Sequence, residues 1–252
     1  MGLRPSVKIS TDHPRHRSLM VRERLSEAVE EGIVTPTGMI AHGRGEAFDY
    51  LLGERTIPSA DYAERVAASL LLNARNPVLC VNGNAAVVAG KQIVLLSQSI
   101  PANVEVNLFH RNEERMEKVI SYMEGLGCRN VLGRSPDSLI PGIASERARC
   151  CSDGIYGADV IMVPIEDGDR AQALAAMGKV VITIDLNPLS RTSKAATVPI
   201  VDEASRAVKN IRRHVDSLRD DEKERLNCIN SFNAEDALQR AVAEICASLS
   251  QD

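Results

Sequence analysis

Apolar residues recur at helical spacing in the first third of the chain. A first stripe, which ends before Gly32, comprises Leu19, Val21, Leu25, Ala28 and Val29. A second stripe follows Pro58 and comprises Tyr62, Val66, Ala67, Leu70 and Leu71. Residues three and four positions apart share one face of a helix. The pattern therefore predicts two amphipathic helices, one over residues 18–31 and one from residue 58.

The pattern changes at residue 77, where short continuous apolar runs replace the helical stripes. Five runs predict strands: PVLCV, NVEVNLF, ADVIMVP, KVVITIDL and TVPIVD. Helical segments separate them, near residues 85–99, from Asn112, around residues 168–178 and after residue 203. Alternating strands and helices form parallel sheets, and continuous apolar runs are typical of strands buried on both faces. We therefore predict an α/β fold with a three-layer, doubly wound, Rossmann-like sheet that is mostly parallel.

The C-terminal segment adds helices outside this alternation. A charged stretch around residue 221 is followed by a helical stripe that comprises Ala237, Leu238, Ala241, Val242, Ile245 and Leu249. We expect a single α/β domain over residues 1–252, with helical extensions at about 1–75 and about 203–252. The last stripe predicts packing on the same domain or on a twofold-related copy of the chain, which gives a homodimer.

Composition narrows the class of protein. The 252 residues carry a net charge of −4 with a pI near 5.8, which argues against general attraction to nucleic acid or an anionic membrane. No window approaches 18 unbroken apolar residues, and the start of the chain lacks the apolar core of a signal peptide. Six cysteines without a C-x-x-C pair indicate reduced, mostly buried thiols. We expect a cytoplasmic protein with small-molecule partners.

One glycine-rich window, GMIAHGRGEAFDYLLGERT, concentrates His42, Arg44 and Arg55 in a short stretch. Two interpretations are open for it. Gly43 and Gly45 can form a turn that leaves the charges in water, or the window can form an anion site for a phosphate or carboxylate. Short glycine-rich matches are weak signals, so the window alone does not decide between them.

Polar residues follow four of the predicted strands directly, in VNGN, NLFHR, PIEDGDR and IDLNPLSRT. Ligands of open parallel sheets bind beyond the carboxyl ends of the strands, so these four ends predict a ligand crevice.

The sequence matches neither of the two common nucleotide-binding motifs, the Walker loop and the dinucleotide fingerprint. Six residues separate Gly83 from Gly90, where a Walker loop has four, and GRGEAFDY lacks the third glycine of a dinucleotide site.

The residue types at these ends indicate an anionic ligand. Arginines lie at or near element ends, and their planar forks suit phosphate and carboxylate oxygens: Arg22, Arg44, Arg111, Arg170 and Arg191. Asparagines 82, 84, 107 and 187 suit neutral hydroxyl or amide groups. The carboxylates of Glu166, Asp167 and Asp169 are candidates to hold Mg²⁺ with substrate phosphates. The alternative for these three is a helix cap with an acidic first turn.

A long ordered series of motifs resembles the archaeal phosphopantothenate synthetases, also called 4-phosphopantoate–β-alanine ligases. The motifs are DHPRHRSLMVRERL, GMIAHGRGEAFDYLLGERT, NPVLCVNGNAA, EVNLFHRNEERM, IPGIASERA, VIMVPIEDGDR and MGKVVITIDLNPLSRTS. They run from about Asp12 to about Asp202. The resemblance implies ATP-dependent condensation of 4-phosphopantoate with β-alanine, with release of AMP and diphosphate, in coenzyme A biosynthesis. It also implies a homodimer and a fold unrelated to the bacterial pantothenate synthetases.

The resemblance also implies which residues bind the substrates. The family's nucleotide contacts fall on Arg22, Arg44, Asp185, Leu186, Asn187, Arg191, Thr192, Glu203 and Ala204. Glu203 departs from the family pattern, in which asparagine follows the strand. The candidates on the phosphopantoate side are His42, Asn84 and Arg111, with His42 either binding a phosphate or accepting the amine proton. The alternative for His42 is a structural histidine, and the alternative for the protein is a non-catalytic nucleotide or phosphosugar sensor.

Overall fold

The computed structural model describes residues 9–250. The first eight residues of the expected N-terminal extension, and the expectation about a signal peptide as far as it concerns them, lie outside the described residues. Three helices precede the first strand: α1 His16–Glu30, α2 Pro36–Leu51 and α3 Pro58–Asn73. The middle of the chain contains β1 Pro77–Val81, α4 Gly83–Ser99, β2 Asn103–Val106, α5 Glu113–Gly125, β3 Ser138–Leu139, β4 Arg149–Cys150 and β5 Val160–Pro164. The remainder comprises α6 Gly168–Ala176, β6 Val180–Ile184, α7 Arg191–Ala195, β7 Val198–Ile200, α8 Ala204–Leu218, α9 Glu222–Ser231 and α10 Ala234–Leu249.

Five strands form one parallel sheet in the order β2-β1-β5-β6-β7. Leu79 at the middle of β1 pairs with Val104 on one side and Met162 on the other. From β1 the chain first adds β2 on one side and then, from β5 onward, adds the remaining strands on the other side. This strand order is that of flavodoxin-like, doubly wound sheets. The α/β prediction is confirmed, and the switch point between β1 and β5 is where such sheets bind ligands.

Apolar helices cover both faces of the sheet. All five residues of β1 and of β5 are buried, as expected for strands covered on two sides. The larger core packs α3, α4, α5 and α8 on one face, with Val66, Ile93 and Ile211 fully enclosed. A smaller core on the other face joins Ile161 to Leu174 of α6. The result is the three-layer architecture that the sequence predicts.

Most of the glycine-rich window is the helix α2, so of the two interpretations left open for it the turn at Gly43 and Gly45 is wrong. The side chain of Thr35 caps α2 by accepting a hydrogen bond from the Gly38 amide at 3.1 Å, and Pro36 occupies the first turn. Both residue types favour a helix start. The partners of this helix lie on α1 and α8, far away in sequence, and they compensate for its glycines.

The end of the chain packs only in part. Ala237 and Ala241 of α10 are buried, and Ala241 packs in one cluster with Leu52 and Ile57, whereas Leu249 remains 63% exposed. Residues 126–159 contain the short antiparallel pair β3–β4 and two helical turns, for which the sequence analysis predicted no element.

None of the helices within residues 9–250 combines the length and apolarity needed to cross a membrane.

Candidate active site

Two adjoining cavities open at the carboxyl edge of the sheet. The first, cavity A, has a volume of about 350 Å³ and lies beyond the ends of β6 and β7. The second, cavity B, has a volume of about 910 Å³ and lies beyond the ends of β1 and β2. The two share a wall formed by Ala41, Ile165, Asp167, Gly168 and Arg191. The crevice predicted from the strand ends is therefore present, in two compartments.

The loop after β6 forms the floor of cavity A. The carboxylate of Asp185 accepts hydrogen bonds from the Asn187 amide at 3.0 Å and from the Ser190 hydroxyl at 2.6 Å. Burial raises the pKa of Asp185, and these hydrogen bonds and the charge of Arg44 oppose that rise. Leu186 and Asn187 also line the cavity. The internal bonds of the loop hold its backbone in a fixed shape beside the cavity.

Arg44 supplies unpaired positive charge to cavity A. It lines the cavity from α2, and within residues 9–250 it forms no hydrogen bond or ion pair. A Cβ atom at Gly43 would meet nothing within 4 Å, and one at Gly45 would meet only Leu186 at 3.8 Å. Open space therefore adjoins α2 at both glycines, and the unpaired Arg44 side chain between them can contact an anionic ligand in cavity A.

The first turn of α7 lies on the shared wall. Arg191 pairs with Asp169 at 2.7 Å, but both side chains are at least 70% exposed. Such an exposed pair contributes little to stability and can exchange for a ligand contact. Thr192 is buried, and its hydroxyl donates to the Glu166 carbonyl at 2.8 Å. Thr192 thus fixes the turn that presents Arg191.

Glu203 acts as the N-cap of α8. Its carboxylate accepts hydrogen bonds from the Ser205 amide at 2.8 Å and the Arg206 amide at 3.0 Å. It also pairs with Arg17 at 2.6 Å, and burial raises its pKa. Asparagine, expected here from the family pattern, is also a strong N-cap residue. The departure therefore preserves the cap, and Ala204 beside it is buried at the edge of cavity A.

We expect replacement of Glu203 by alanine to lower the free energy of unfolding by about 0.5–2 kcal/mol, the usual cost of a lost N-cap. The Glu203→Asn variant should lose less, since the amide oxygen can cap the same helix. Urea denaturation measures both changes. Glu222→Ala, which removes an exposed carboxylate from the first turn of α9, serves as the control. An equal loss in the alanine and asparagine variants would contradict the capping role.

Arg22 lies outside cavity A. Its guanidinium group donates to both oxygens of Glu46, with a shortest distance of 2.6 Å, and to the Tyr50 hydroxyl at 3.2 Å. The hydrogen bond to Glu46 raises the pKa of Arg22. The side chain faces a separate groove between α1 and α2, which His42 also borders. The structure therefore does not bring Arg22 together with Arg44 in one cavity.

Cavity B begins at the N-terminus of α4. Asn84 is buried there, and its side-chain amide donates to the Gly38 carbonyl at 2.7 Å. A Cβ atom at residue 38 would collide with the Asn84 amide oxygen, so only glycine allows this close approach. The N-terminus of a 17-residue helix carries partial positive charge and free amide groups. This end of cavity B therefore favours an anion.

Four arginines line cavity B, and they include Arg115 but not Arg111: Arg115, Arg147, Arg170 and Arg191. Arg111 donates to the Gly133 carbonyl at 2.7 Å and is absent from the cavity wall. Arg115 donates to the carbonyls of Ile33 and His110 at 3.0–3.2 Å and, among the described residues, pairs with no carboxylate. Burial and the charge of Arg147 lower the pKa of Arg115. The sequence contains one indication of this role: Arg115 lies in the first turn of the helix that Asn112 caps.

The three candidate magnesium ligands all form ion pairs with arginines. Glu166 is buried between Arg147 and Arg170, which pair with its two oxygens. Asp167 pairs with Arg147, and Asp169 pairs with Arg191. Within residues 9–250, the carboxylates at 166, 167 and 169 do not converge on a common point. These three residues therefore do not fit a protein-bound Mg²⁺.

His42 lies between cavity A and the α1–α2 groove. Burial lowers its pKa, with Arg22 acting in the same direction and Glu46 opposing it. The imidazole is therefore neutral at neutral pH and has a free nitrogen lone pair. A neutral histidine at this position can accept a proton or a hydrogen bond from a ligand.

We predict that the His42 imidazole titrates below about 6.5, the ordinary value for histidine. Folding then favours the neutral form, so the contribution of His42 to stability is complete above that pH and is lost as the pH falls below it. Proton NMR of the imidazole measures the midpoint, and the His42→Asn variant assigns the signal and removes that part of the pH dependence. A midpoint at or above 6.5 would contradict the effect of burial.

Comparison with known proteins identifies the family. The family model described as phosphopantothenate/pantothenate synthetase matches residues 59–248. A 4-phosphopantoate–β-alanine ligase of Methanosarcina mazei is 47% identical over 238 residues, which is 94% of each chain. The ligase of the same name from Methanospirillum hungatei JF-1 is 52% identical over 85% of this chain and 87% of its own, and that of Thermococcus onnurineus is 46% identical over 85% and 82%. The chain belongs to the phosphopantothenate/pantothenate synthetase family.

Proposed function

We propose that the protein is an ATP-dependent ligase that condenses 4-phosphopantoate with β-alanine to 4′-phosphopantothenate, with release of AMP and diphosphate, in coenzyme A biosynthesis. The observation that carries the proposal is the pair of adjoining cavities, each bordered by an arginine that forms no ion pair with a carboxylate of residues 9–250. Arg44 serves cavity A and Arg115 serves cavity B. Two anionic substrates must meet in such an enzyme, and fixed positive charge is needed where their negative charge concentrates. The names of the similar ligases give the substrates.

Cavity A is proposed to bind ATP. Its volume of about 350 Å³ lies within the usual range of small-molecule sites. Arg44 and Arg191 would face the phosphates, while the loop at Asp185–Asn187 and the N-terminus of α8 at Ala204 would border the nucleoside. The raised pKa of the capping Glu203 does not disturb this role, since its carboxylate is directed at the helix amides.

Cavity B is proposed to bind 4-phosphopantoate, with its phosphate near Arg115 and the N-terminus of α4. Its carboxylate would then point toward the wall shared with cavity A. A carboxylate oxygen attacks the α-phosphorus of ATP and diphosphate leaves, which gives an acyl adenylate. The amine of β-alanine next attacks the acyl carbon, AMP leaves, and the amine gives up a proton. Neutral His42, beside the shared wall, is the proposed acceptor of that proton, and positioning of the reactants supplies much of the rate.

The decisive experiment follows diphosphate release and identifies the nucleotide product. With 4-phosphopantoate, β-alanine and ATP together, we expect continuous release of diphosphate and AMP. Omission of β-alanine should stop turnover after adenylation, and pantoate without its phosphate should be a far poorer substrate. A protein that binds nucleotide but releases no diphosphate would be a sensor, the alternative on the same sheet. Equal turnover of pantoate and 4-phosphopantoate would remove the phosphate-anchoring role of cavity B.

We also propose that the enzyme is a homodimer that uses the exposed side of α10. Leu189 is 60% exposed beside a groove that Leu238 and Val242 line, so apolar surface remains uncovered in the single chain. Burial of this surface against a second copy would stabilise both. Sedimentation at micromolar concentration should give a dimer, and Val242→Asp should shift the protein toward monomer. A monomeric parent protein would contradict the proposal.

A further inference from the structure

A second cluster of metal-binding residue types lies away from both cavities, between α3 and α8. Asp61 and Glu64 are one turn apart on α3 and therefore share a face of that helix. His214 projects from α8, which packs against α3. One ligand atom from each of the three residues lies within 4.8 Å of the other two. The imidazole Nε2 of His214 is 3.1 Å from Asp61 Oδ1.

Glu64 is the unusual member, because within residues 9–250 no basic side chain forms an ion pair with it. It has no exposed surface, and neither carboxylate oxygen has a hydrogen-bond donor among the described residues. The arginines of the two helices pair with other carboxylates: Arg65 with Glu224, Arg206 with Asp49 and Asp202, Arg212 with Asp216, and Arg213 with Asp61. An isolated buried carboxylate is costly, so the site requires either a proton or a cation.

A second carboxylate, that of Asp202, acts on Glu64 and adds to the cost of its negative charge. A divalent cation bound beside Glu64 would offset that cost. Asp61 Oδ1 contacts Arg213 at 2.8 Å and His214 at 3.1 Å, whereas no hydrogen bond or ion pair within residues 9–250 involves its other oxygen. A ligand atom is thus available from each of the three side chains.

We propose that Asp61, Glu64 and His214 form a binding site for a divalent transition metal of the Zn²⁺ type, which links α3 to α8. One imidazole nitrogen and two carboxylate oxygens are donors that zinc accepts, and the imidazole disfavours Mg²⁺ and Ca²⁺. The two carboxylates balance the charge of the dication. Because α8 begins beside cavity A, the metal would stabilise the packing of a helix that borders the proposed nucleotide site.

Cobalt titration of the chelator-treated full-length protein tests the proposal without reference to ligase activity. We expect one Co²⁺ per chain, with a visible absorption band that Zn²⁺ abolishes by displacement. Glu64→Gln keeps the shape of the side chain but removes its charge, and His214→Gln removes the nitrogen ligand. Each variant should bind Co²⁺ at least about tenfold more weakly. Asp216→Asn, which removes an exposed carboxylate two residues beyond His214, should bind as the parent does.

Thermal unfolding provides the second measurement and guards against misfolded variants. Zn²⁺ should raise the melting temperature of the parent and of Asp216→Asn, because a ligand that binds only the folded state stabilises it. Glu64→Gln should unfold cooperatively without metal and should show no such rise. Failure of the parent to bind Co²⁺, or equal binding by the parent and Glu64→Gln, would overturn the proposal. Neither result bears on turnover of 4-phosphopantoate, so the ligase function is tested separately.

Discussion

Replacement of Arg44 by alanine is expected to lower kcat by about 10²–10³-fold, the range for loss of one preorganised donor to developing charge. The guanidinium group borders cavity A and, within residues 9–250, forms no ion pair, so its removal leaves no carboxylate unpaired. The folded state should therefore be preserved. Steady-state kinetics with ATP and 4-phosphopantoate measures the loss, and urea denaturation checks the fold.

The Arg44→Lys variant distinguishes charge from geometry. Lysine keeps the positive charge but lacks the planar fork that can bind two phosphate oxygens at once, so we expect an intermediate loss. If Arg44 binds ATP equally in the ground and transition states, KM for ATP rises and kcat is unchanged. Arg129→Ala removes an exposed arginine after α5 and serves as the control. An Arg44→Ala enzyme with unchanged kcat and KM would show that Arg44 has only a surface role.

The sheet could be predicted because its signals are local. Continuous apolar runs marked four of the five parallel strands, as expected for strands buried on both faces, and β2 differs in carrying Asn103 and the buried Glu105. The ligand crevice followed from topology alone, since polar residues at the carboxyl ends of parallel strands meet at one edge. Asn84 and Asp185 border the cavities for this reason. Asn107 is the exception: it is buried and donates to the carbonyls of Arg147 at 3.3 Å and Arg149 at 2.9 Å, so it holds the start of β4 and the turn before it.

The glycine-rich window shows where local signals were insufficient. Glycine lowers helix propensity, and two glycines two residues apart suggested a turn. What stabilises α2 as a helix comes from elsewhere in the chain. Glu46 pairs with Arg22 of α1, and Asp49 pairs with Arg206 of α8 at 2.6 Å. These partners could not be identified from the spacing within the window.

Ion pairs between residues distant in sequence also determine which carboxylates and arginines remain free to bind a ligand. Glu166 suggested a metal ligand because it follows a strand, but Arg147, from the segment without predicted structure, pairs with it. Arg111 and Arg115 are one helical turn apart in sequence, and only the fold directs Arg115 into cavity B. Residue type and spacing therefore predict the edge of the sheet at which a site lies. Which charges remain unpaired there depends on the tertiary structure.

Replacement of Arg115 by methionine is expected to raise KM for 4-phosphopantoate by about 10–100-fold, the equivalent of the 1.5–3 kcal/mol typical of a hydrogen bond to a charged group. Methionine keeps an unbranched apolar side chain beside Gly83 but removes the charge. KM for ATP should be unchanged, because cavity A does not include Arg115. Arg115→Lys should lose less than Arg115→Met.

Arg115 also donates to the Ile33 and His110 carbonyls, so its replacement removes structural hydrogen bonds as well as the proposed phosphate contact. The experiment has to distinguish these two effects. Turnover of pantoate provides the separation. A phosphate contact predicts that Arg115→Met and the parent turn over pantoate at equal, low rates, whereas a structural defect lowers both activities together. Arg111→Met is the matched control, since that guanidinium group faces the Gly133 carbonyl outside cavity B. If Arg111→Met and not Arg115→Met impairs use of 4-phosphopantoate, the anion is held on the other side of the β2–α5 loop.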